Sequence, residues 1–382
     1  MNPEPSPAAA RSAGAAQRLM SLDALRGFDM LWIMGGDSIG HALDSLQHAE
    51  SGFLHTVATQ LDHVAWEGFR FYDLIFPLFV FIVGVSLVFS LSKIVEREGK
   101  AAATRRILRR AALLWFIGIV YYGGWAKGID NVRLLGVLQR IALCYLFAGL
   151  CFVYLKPRGL LIALLALLGG YWAMLTFIPA PGLDQVSFAE GKNLTNWIDS
   201  QYLPFRKWDG THDPEGLLAT LPAIGTCLLG VFTALFLRRT DFTQQEKAVW
   251  LAGCGLAAVL LGSVWGVQFP VIKKLWTSSY VLIAGGWSAL LLATFYWVID
   301  VKGWTGWAQP FVWIGLNPIT IYLLGNLIDF DLLAGRVLGG PVQMLADKLS
   351  AGLGAVLISV GGMSLAVAVG WFLHRRKLYL RL

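Results

Sequence analysis

Six histidines offer proton or acyl chemistry near neutral pH: His41, His48, His55, His63, His212 and His374. His63 stands in the run LDHVAWEGFRFYDLIFPLFVFIVG. There, Asp62, Glu67 and Asp73 could raise its basicity, whereas Trp66, Phe69, Phe71 and Tyr72 also fit an ordinary aromatic belt at a lipid boundary. His41, His48 and His55 are spaced by seven. On a continuous helix that spacing puts neighbours about 10.5 Å apart, too far to share one metal ion. They read as a wet surface stripe. His374 lies among Arg375, Arg376 and Lys377 and is expected to be solvated.

The next candidates are charges inside apolar runs, where each costs at least ~2.5–3.5 kcal/mol on insertion scales. Arg26 and Asp29 are three apart and can pair on one helix face, with Asp23 as a second partner for Arg26. Asp37 lies about 16 Å further along the same helix. It needs a distant partner, a water-filled cavity or a proton. Gln139-Arg140 falls about two turns inside its span. Arg140 either neutralises Asp37 or Asp73 or binds an anionic ligand. Asn317-Pro318 interrupts another span, where Pro removes a helix hydrogen bond and the Asn is either interhelical glue or part of a site. In THDPEG, Asp213 and Glu215 either cap a helix start or hydrogen-bond a polar ligand. Arg105, Arg106, Arg109 and Arg110 form one basic helical stripe. That stripe is either a topology signal facing anionic lipid or a dock for a phosphorylated cofactor. Cys144, Cys151, Cys227 and Cys254 all lie in apolar runs, so neither a disulfide nor a metal site is expected.

Composition dictates the elements that must position these groups. Of 382 residues, 56% are hydrophobic, only 14% are charged and 16 are Trp; mean hydropathy is +0.60. These figures exclude disorder, fibrous repeats and a disulfide scaffold. Long unbroken apolar runs exclude a barrel and leave an all-α, polytopic helical membrane protein. About ten transmembrane helices are expected, near 24–40, 72–92, 111–123, 134–155, 159–178, 217–237, 249–267, 279–299, 309–328 and 354–373. The net charge of +7 then reports topology and not nucleic-acid binding. Nineteen Lys and Arg fall on the side of both termini against ten on the other, so both termini are expected to be cytoplasmic. Residues 1–18 read as a disordered cytoplasmic tail and 19–382 as a single transmembrane domain. Two long outer segments, about 41–71 and 179–216, are expected to fold over the outer face.

Six segments occur in order: RLMSLDALRGFDML, WEGFRFYDLIFPLFVFIVG, NVRLLGVLQRIALCY, HDPEGLLATLPAIGTCLLG, KKLWTSSYVLIAGG and VWIGLNPITIY. Together, over roughly residues 18–330, they resemble the heparan-α-glucosaminide N-acetyltransferase family, and within it the bacterial, N-acetylglucosamine-related branch. The resemblance implies a multi-pass protein of the bacterial cytoplasmic (inner) membrane. It also implies transfer of acetyl from cytosolic acetyl-CoA to the amine of a glucosamine-type sugar near the outer face. The family's active histidine lies in a His-x-x-Trp-x-Gly stretch, matched here by His63-Val64-Ala65-Trp66-Glu67-Gly68. His63 is thereby implied to be a general base or an acetyl carrier. Counting from Arg26-Gly27, a family Asn falls on Asp37, a departure that could orient His63 or change the acceptor. On this reading Arg105, Arg106, Arg109 and Arg110 dock the cofactor phosphates. Asn317, Gln139 or Arg140 polarises the thioester carbonyl, Asp213 and Glu215 hold the sugar, and Asp73 is a further substrate-binding candidate. A homodimer in the lipid bilayer is plausible for the family, with no metal. The competing reading is an amino-sugar or N-acetylglucosamine permease, in which His63 and Asp37 couple protons or bind substrate.

Overall fold

A chain of long apolar runs leaves its backbone groups no partner but each other, and helices satisfy them without water. The computed structural model describes residues 19–46 and 52–380. The expected tail, residues 1–18, and His48 lie outside the described residues. The chain opens with α1 (Met20–Asp44) and the short α2 (Phe53–Gln60), followed by α3 (Phe71–Tyr121). After them come α4 (Val137–Tyr154), α5 (Pro157–Phe177), the short α6 (Leu194–Tyr202), α7 (Thr220–Leu237) and α8 (Gln244–Gly266). Helix α9 (Ser278–Phe295) continues as a π-helical turn to Val301, then α10 (Gln309–Gly315) and α11 (Pro318–Leu327) follow. The chain ends in α12 (Phe330–Leu338), α13 (Pro341–Leu349) and α14 (Leu353–Arg375). Among the described residues the extended pairing is a single bridge, Glu67 to Ile272.

Among the described residues seven helices are long and apolar enough to cross a bilayer, and α10 with α11, bent by 69°, can form an eighth span. The protein is therefore an all-helical, multi-span membrane protein. The ten expected segments all fall on helices, but not one helix apiece. The segments 72–92 and 111–123 are the two arms of α3, broken at Gly99 (φ 85°, ψ 175°), a backbone conformation open to glycine. The segment 309–328 is the bent pair, broken at Asn317-Pro318. Helix α1 carries Arg26, Asp29 and Asp37 and is not among the seven. In α1, Arg26 pairs with Asp23 at 3.1 Å and also bonds Ser86 and the Gly315 carbonyl. The expected pairing with Asp29 is not made: Asp29 is fully buried and, among the described residues, neither carboxylate oxygen has a hydrogen-bond partner.

Two helix crossings are so close that they admit only glycine. At the α3–α7 crossing, a Cβ on Gly84 would lie 1.9 Å from the Cys227 carbonyl oxygen, and one on Gly230 would lie 2.0 Å from that of Phe81. At the α1–α10 crossing, a Cβ on Gly27 would meet the Phe311 oxygen at 1.7 Å, and one on Gly315 the Asp23 oxygen at 1.9 Å. Lipid provides no hydrophobic drive between helices, so such backbone approach is a main source of association. These crossings clamp α3 to α7 and α1 to α10. Gly84→Ala must separate α3 from α7 and is expected to cost ~1–3 kcal/mol, read as a lower unfolding midpoint in detergent. Gly169→Ala, whose Cβ meets nothing within 4 Å, is the control and should not lower it. Equal midpoints for the two variants would refute the packing role.

Candidate active site

The first turn of α3 builds the centre. Asp73 occupies its third position, and its Oδ2 accepts the backbone N–H of Arg70 at 3.1 Å and of Val64 at 3.3 Å. This satisfies donors the helix leaves open at its N-terminus. Its other oxygen, Oδ1, lies 2.9 Å from His63 Nδ1. The Asp73 side chain is 1% exposed while His63 is 51% exposed. A buried carboxylate therefore holds one imidazole nitrogen and leaves Nε2 at the cavity side. The Tyr72 ring packs 4.7 Å from the imidazole.

A second loop closes against this turn. The Gly68 N–H donates to the Val271 carbonyl at 2.8 Å, next to the Glu67–Ile272 bridge. That pairing brings Lys273 to His63, with Nζ 3.0 Å from Nδ1, 3.3 Å from Nε2 and 3.3 Å from Asp73 Oδ1. Burial pushes the Lys273 ammonium below its usual pKa, against the upward pull of Asp73 and Glu215. The neighbouring Lys274 instead bonds Glu190 at 2.9 Å and Asp209 at 3.0 Å. Glu190, Asp209 and His212 bring ligand-type atoms within 4.8 Å of one another. With Lys274 between the two carboxylates, the group works as an ion cluster that ties segment 179–216 to the loop 267–277. Trp66 adds to the tie by donating Nε1–H to the Phe188 carbonyl at 2.9 Å.

The far wall is a buried charge cluster. Arg133 donates two hydrogen bonds to Asp213, at 2.9 and 2.7 Å, and one to Glu215 at 2.5 Å. Its guanidinium lies between the rings of Tyr122 and Trp208, 4.5 and 4.8 Å from their centroids. Burial raises the Glu215 carboxyl above its usual pKa, opposed by Arg140 and Arg133. Burial also raises Asp199, to about 6, although it accepts the Leu217 and Asp213 N–H groups. Together His63, Asp73, Arg133, Trp208, Glu215 and Lys273 line a cavity of about 340 Å³.

The expected site residues divide accordingly. His63, Asp73 and Glu215 line this cavity, and Asp213 stands behind it holding Arg133. Arg140 is fully buried behind Trp276, 4.9 Å over its ring, and donates to the Gly216 carbonyl at 3.4 Å. Gln139 donates to the Arg133 carbonyl at 3.2 Å. Neither lines the His63 cavity. Asp37 does not meet His63. Its side chain is 64% exposed, 3.5 Å from His41, and lines a separate cleft with Asp44, Asp62 and Arg70. The Tyr72 ring stands in the way, packed so closely on α1 that a Cβ on Gly36 would touch it at 2.7 Å. Asn317 is also remote: its Oδ1 accepts the Leu380 N–H at 3.2 Å, at the opposite end of the helix bundle. Lys273, Arg133 and Trp208 are absent from the expected set. Charge counting treats the first two as outer-loop cations, and the motif KKLWTSSYVLIAGG was the one signal that marked Lys273.

At that opposite end, Arg26, Ser86, Arg106, Arg110 and Tyr145 line a second cavity of about 270 Å³. Of the basic stripe, Arg106 and Arg110 line it, whereas Arg105 and Arg109 do not. Between the two cavities lies an apolar neck of about 20 Å³. It shares Phe76 and Val137 with the His63 cavity, and Phe79, Leu138, Ile141 and Ile319 with the basic one. These adjoining voids form an interrupted corridor that runs from a cationic mouth towards the histidine.

The family model described as heparan-alpha-glucosaminide N-acetyltransferase, catalytic, matches residues 18–262. Human heparan-alpha-glucosaminide N-acetyltransferase is 31% identical over 318 residues, covering 68% of this chain and 48% of the human protein. The mouse protein of the same name is 27% identical over 377 residues, covering 83% of this chain and 56% of its own. The chain spans about half the length of these curated relatives. Its ordered motifs, its helical membrane body and the match over most of its length place it in one family: the chain belongs to the heparan-alpha-glucosaminide N-acetyltransferases.

Proposed function

We propose that this protein is a membrane acetyltransferase that carries acetyl from acetyl-CoA to the amine of a glucosamine-type sugar across the bilayer. The observation that carries the reading is the interrupted corridor from Arg106 and Arg110 towards His63. Acetyl-CoA is an anionic head on a long, thin, largely apolar arm ending in a thioester. Guanidinium groups suit its phosphates by bidentate, charge-assisted hydrogen bonds. On this reading the basic mouth and both termini face the cytoplasm of a bacterium, ten segments cross its inner membrane, and the His63 cavity opens outside. The neck holds about one water-sized sphere, so passage of the arm requires Phe76, Phe79 and Tyr322 to move.

Chemistry follows from the held imidazole. Asp73 keeps the proton on Nδ1 and stabilises the imidazolium that forms. Nε2 then takes the proton of the attacking amine as the C–N bond forms. Collapse of the tetrahedral adduct breaks the C–S bond, and the proton passes to the departing CoA thiolate. Trp208 and Glu215 offer an aromatic face and a carboxylate to the sugar.

Radiolabelled acetyl-CoA and glucosamine with the protein in liposomes test the reading, and N-acetylated sugar is the expected product. Labelled sugar crossing the bilayer without any acetyl transfer would instead establish the permease. His63→Ala is expected to lower kcat ~10²–10⁴-fold, the usual contribution of a positioned general base. Label that stays on wild-type protein after CoA is removed would make His63 the acetyl carrier. Arg106→Gln with Arg110→Gln should raise KM for acetyl-CoA tenfold or more, given ~1.5–3 kcal/mol per charged hydrogen bond, with kcat retained. An unchanged KM would remove the basic mouth from cofactor binding.

A further inference from the structure

Acyl transfer needs a donor for the oxygen that becomes negative in the tetrahedral intermediate. The residues whose types suggest that role from sequence do not reach the histidine: Arg140 and Gln139 are packed behind the cavity wall and Asn317 is at its far end. Three cations do line the cavity. Arg133 is consumed by Asp213 and Glu215, and Lys274 by Glu190 and Asp209. Lys273 remains. It contacts Asp73 at 3.3 Å, but that carboxylate also holds His63 and two backbone N–H groups, so the ammonium shares one oxygen. An ammonium has three donors. With Nδ1 facing Asp73, one donor goes to Asp73 Oδ1 and one to Nε2 at 3.3 Å, and the third is left for an acyl oxygen in the cavity that His63 and Lys273 both line.

The backbone holds the lysine there at a cost. Trp276 donates its N–H to the Lys273 carbonyl at 2.9 Å and adopts φ 52°, a left-handed conformation costly for a tryptophan. Its indole is buried and donates to Thr226 at 3.0 Å, which locks the turn.

We infer that Lys273 is a catalytic residue whose ammonium hydrogen-bonds the oxyanion formed as acetyl leaves acetyl-CoA. The inference rests on the acetyltransferase reading. The amine lone pair adds to the thioester carbon and the carbonyl π pair moves to oxygen, facing the Lys273 ammonium. His63 Nε2 takes the amine proton. The oxygen pair then re-forms the carbonyl, the C–S bond breaks, and the thiolate receives the proton from His63. Lys273 gives up no proton, so it must remain charged throughout. Around it stand Asp73 and His63 from α3 and its preceding loop, Glu215 and Arg133 from the far wall, and Lys274 with Glu190 and Asp209 alongside. Burial lowers the Lys273 pKa despite the carboxylates, so its charge, and with it the activity, is lost as pH rises through that lowered value. Arginine stays charged far above it.

The test uses the full chain in liposomes with acetyl-CoA and glucosamine. Lys273→Met is expected to lower kcat ~10²–10³-fold, the loss typical of removing one oxyanion donor, with both KM values near wild type. Lys273→Arg should recover part of that loss and move the alkaline limb of the pH–kcat profile to higher pH. A Lys273→Met enzyme with wild-type kcat would overturn the inference. So would an alkaline limb unmoved in Lys273→Arg, which decides the matter even if the methionine variant fails to fold. Acetyl found on Lys273 by mass spectrometry during turnover would make it an acceptor instead. Wild-type protein that transfers no acetyl at all overturns the functional reading itself, and the role of Lys273 with it.

Discussion

Asp73 buries a carboxylate at the third position of α3, and four donors converge on it: two backbone N–H groups, the His63 ring and the Lys273 ammonium. A lone ion at 1% exposure would be prohibitively costly. The helix N-terminus lowers that cost, because its open N–H groups and dipole favour negative charge. The face that bears the His63 cavity is arranged to meet this one requirement. The loop before α3 folds back so that Val64 and His63 reach the carboxylate, and the loop before α9 pairs with it so that Lys273 does. Removing the charge would release the histidine and the lysine together.

The same rule governs the opposite wall. Arg133 is enclosed by two aromatic rings and satisfied by two carboxylates, a geometry in which every buried charge has a partner. Breaking such a set by removing one member typically costs ~3–5 kcal/mol, because the partners are left uncompensated. The segment 179–216 is held by ions, Lys274 with Glu190 and Asp209 and Arg133 with Asp213, and by Phe188 packed on Phe269. The walls of the cavity are thus electrostatic, whereas the corridor below it is apolar. Charge is concentrated at the two mouths, and close glycine contacts set the helix spacing between them.

Much of this was legible from residue order. Helices and spans follow from runs of apolar residues, and the break at Asn317-Pro318 follows from proline geometry. His63 could be singled out by its neighbours and by the His-x-x-Trp-x-Gly stretch. Asp37 shows where linear reasoning stops. Its position on α1 was readable, but its exposure was not, because the end of α1 packs by the face of Gly36, Gly40 and Ala42 and leaves Asp37 and His41 on the other. The partner of His63 is Asp73, ten residues later, brought back by a tight loop that hydropathy does not register.

The amino-acid sequence by itself determined the membrane body, the approximate places of its helices and the asymmetry of its basic residues. All are local properties, set by each residue's transfer energy and by short-range backbone geometry. Tertiary structure alone decided which polar groups meet. Lys273 is 210 residues from His63, and Arg133 is 80 from Asp213. Arg106 and Arg110 line the basic cavity while Arg105 and Arg109 do not. Such pairings depend on how helices cross and loops close, and the energy that selects them, the cost of an unpaired buried charge, exists only once the chain has excluded water.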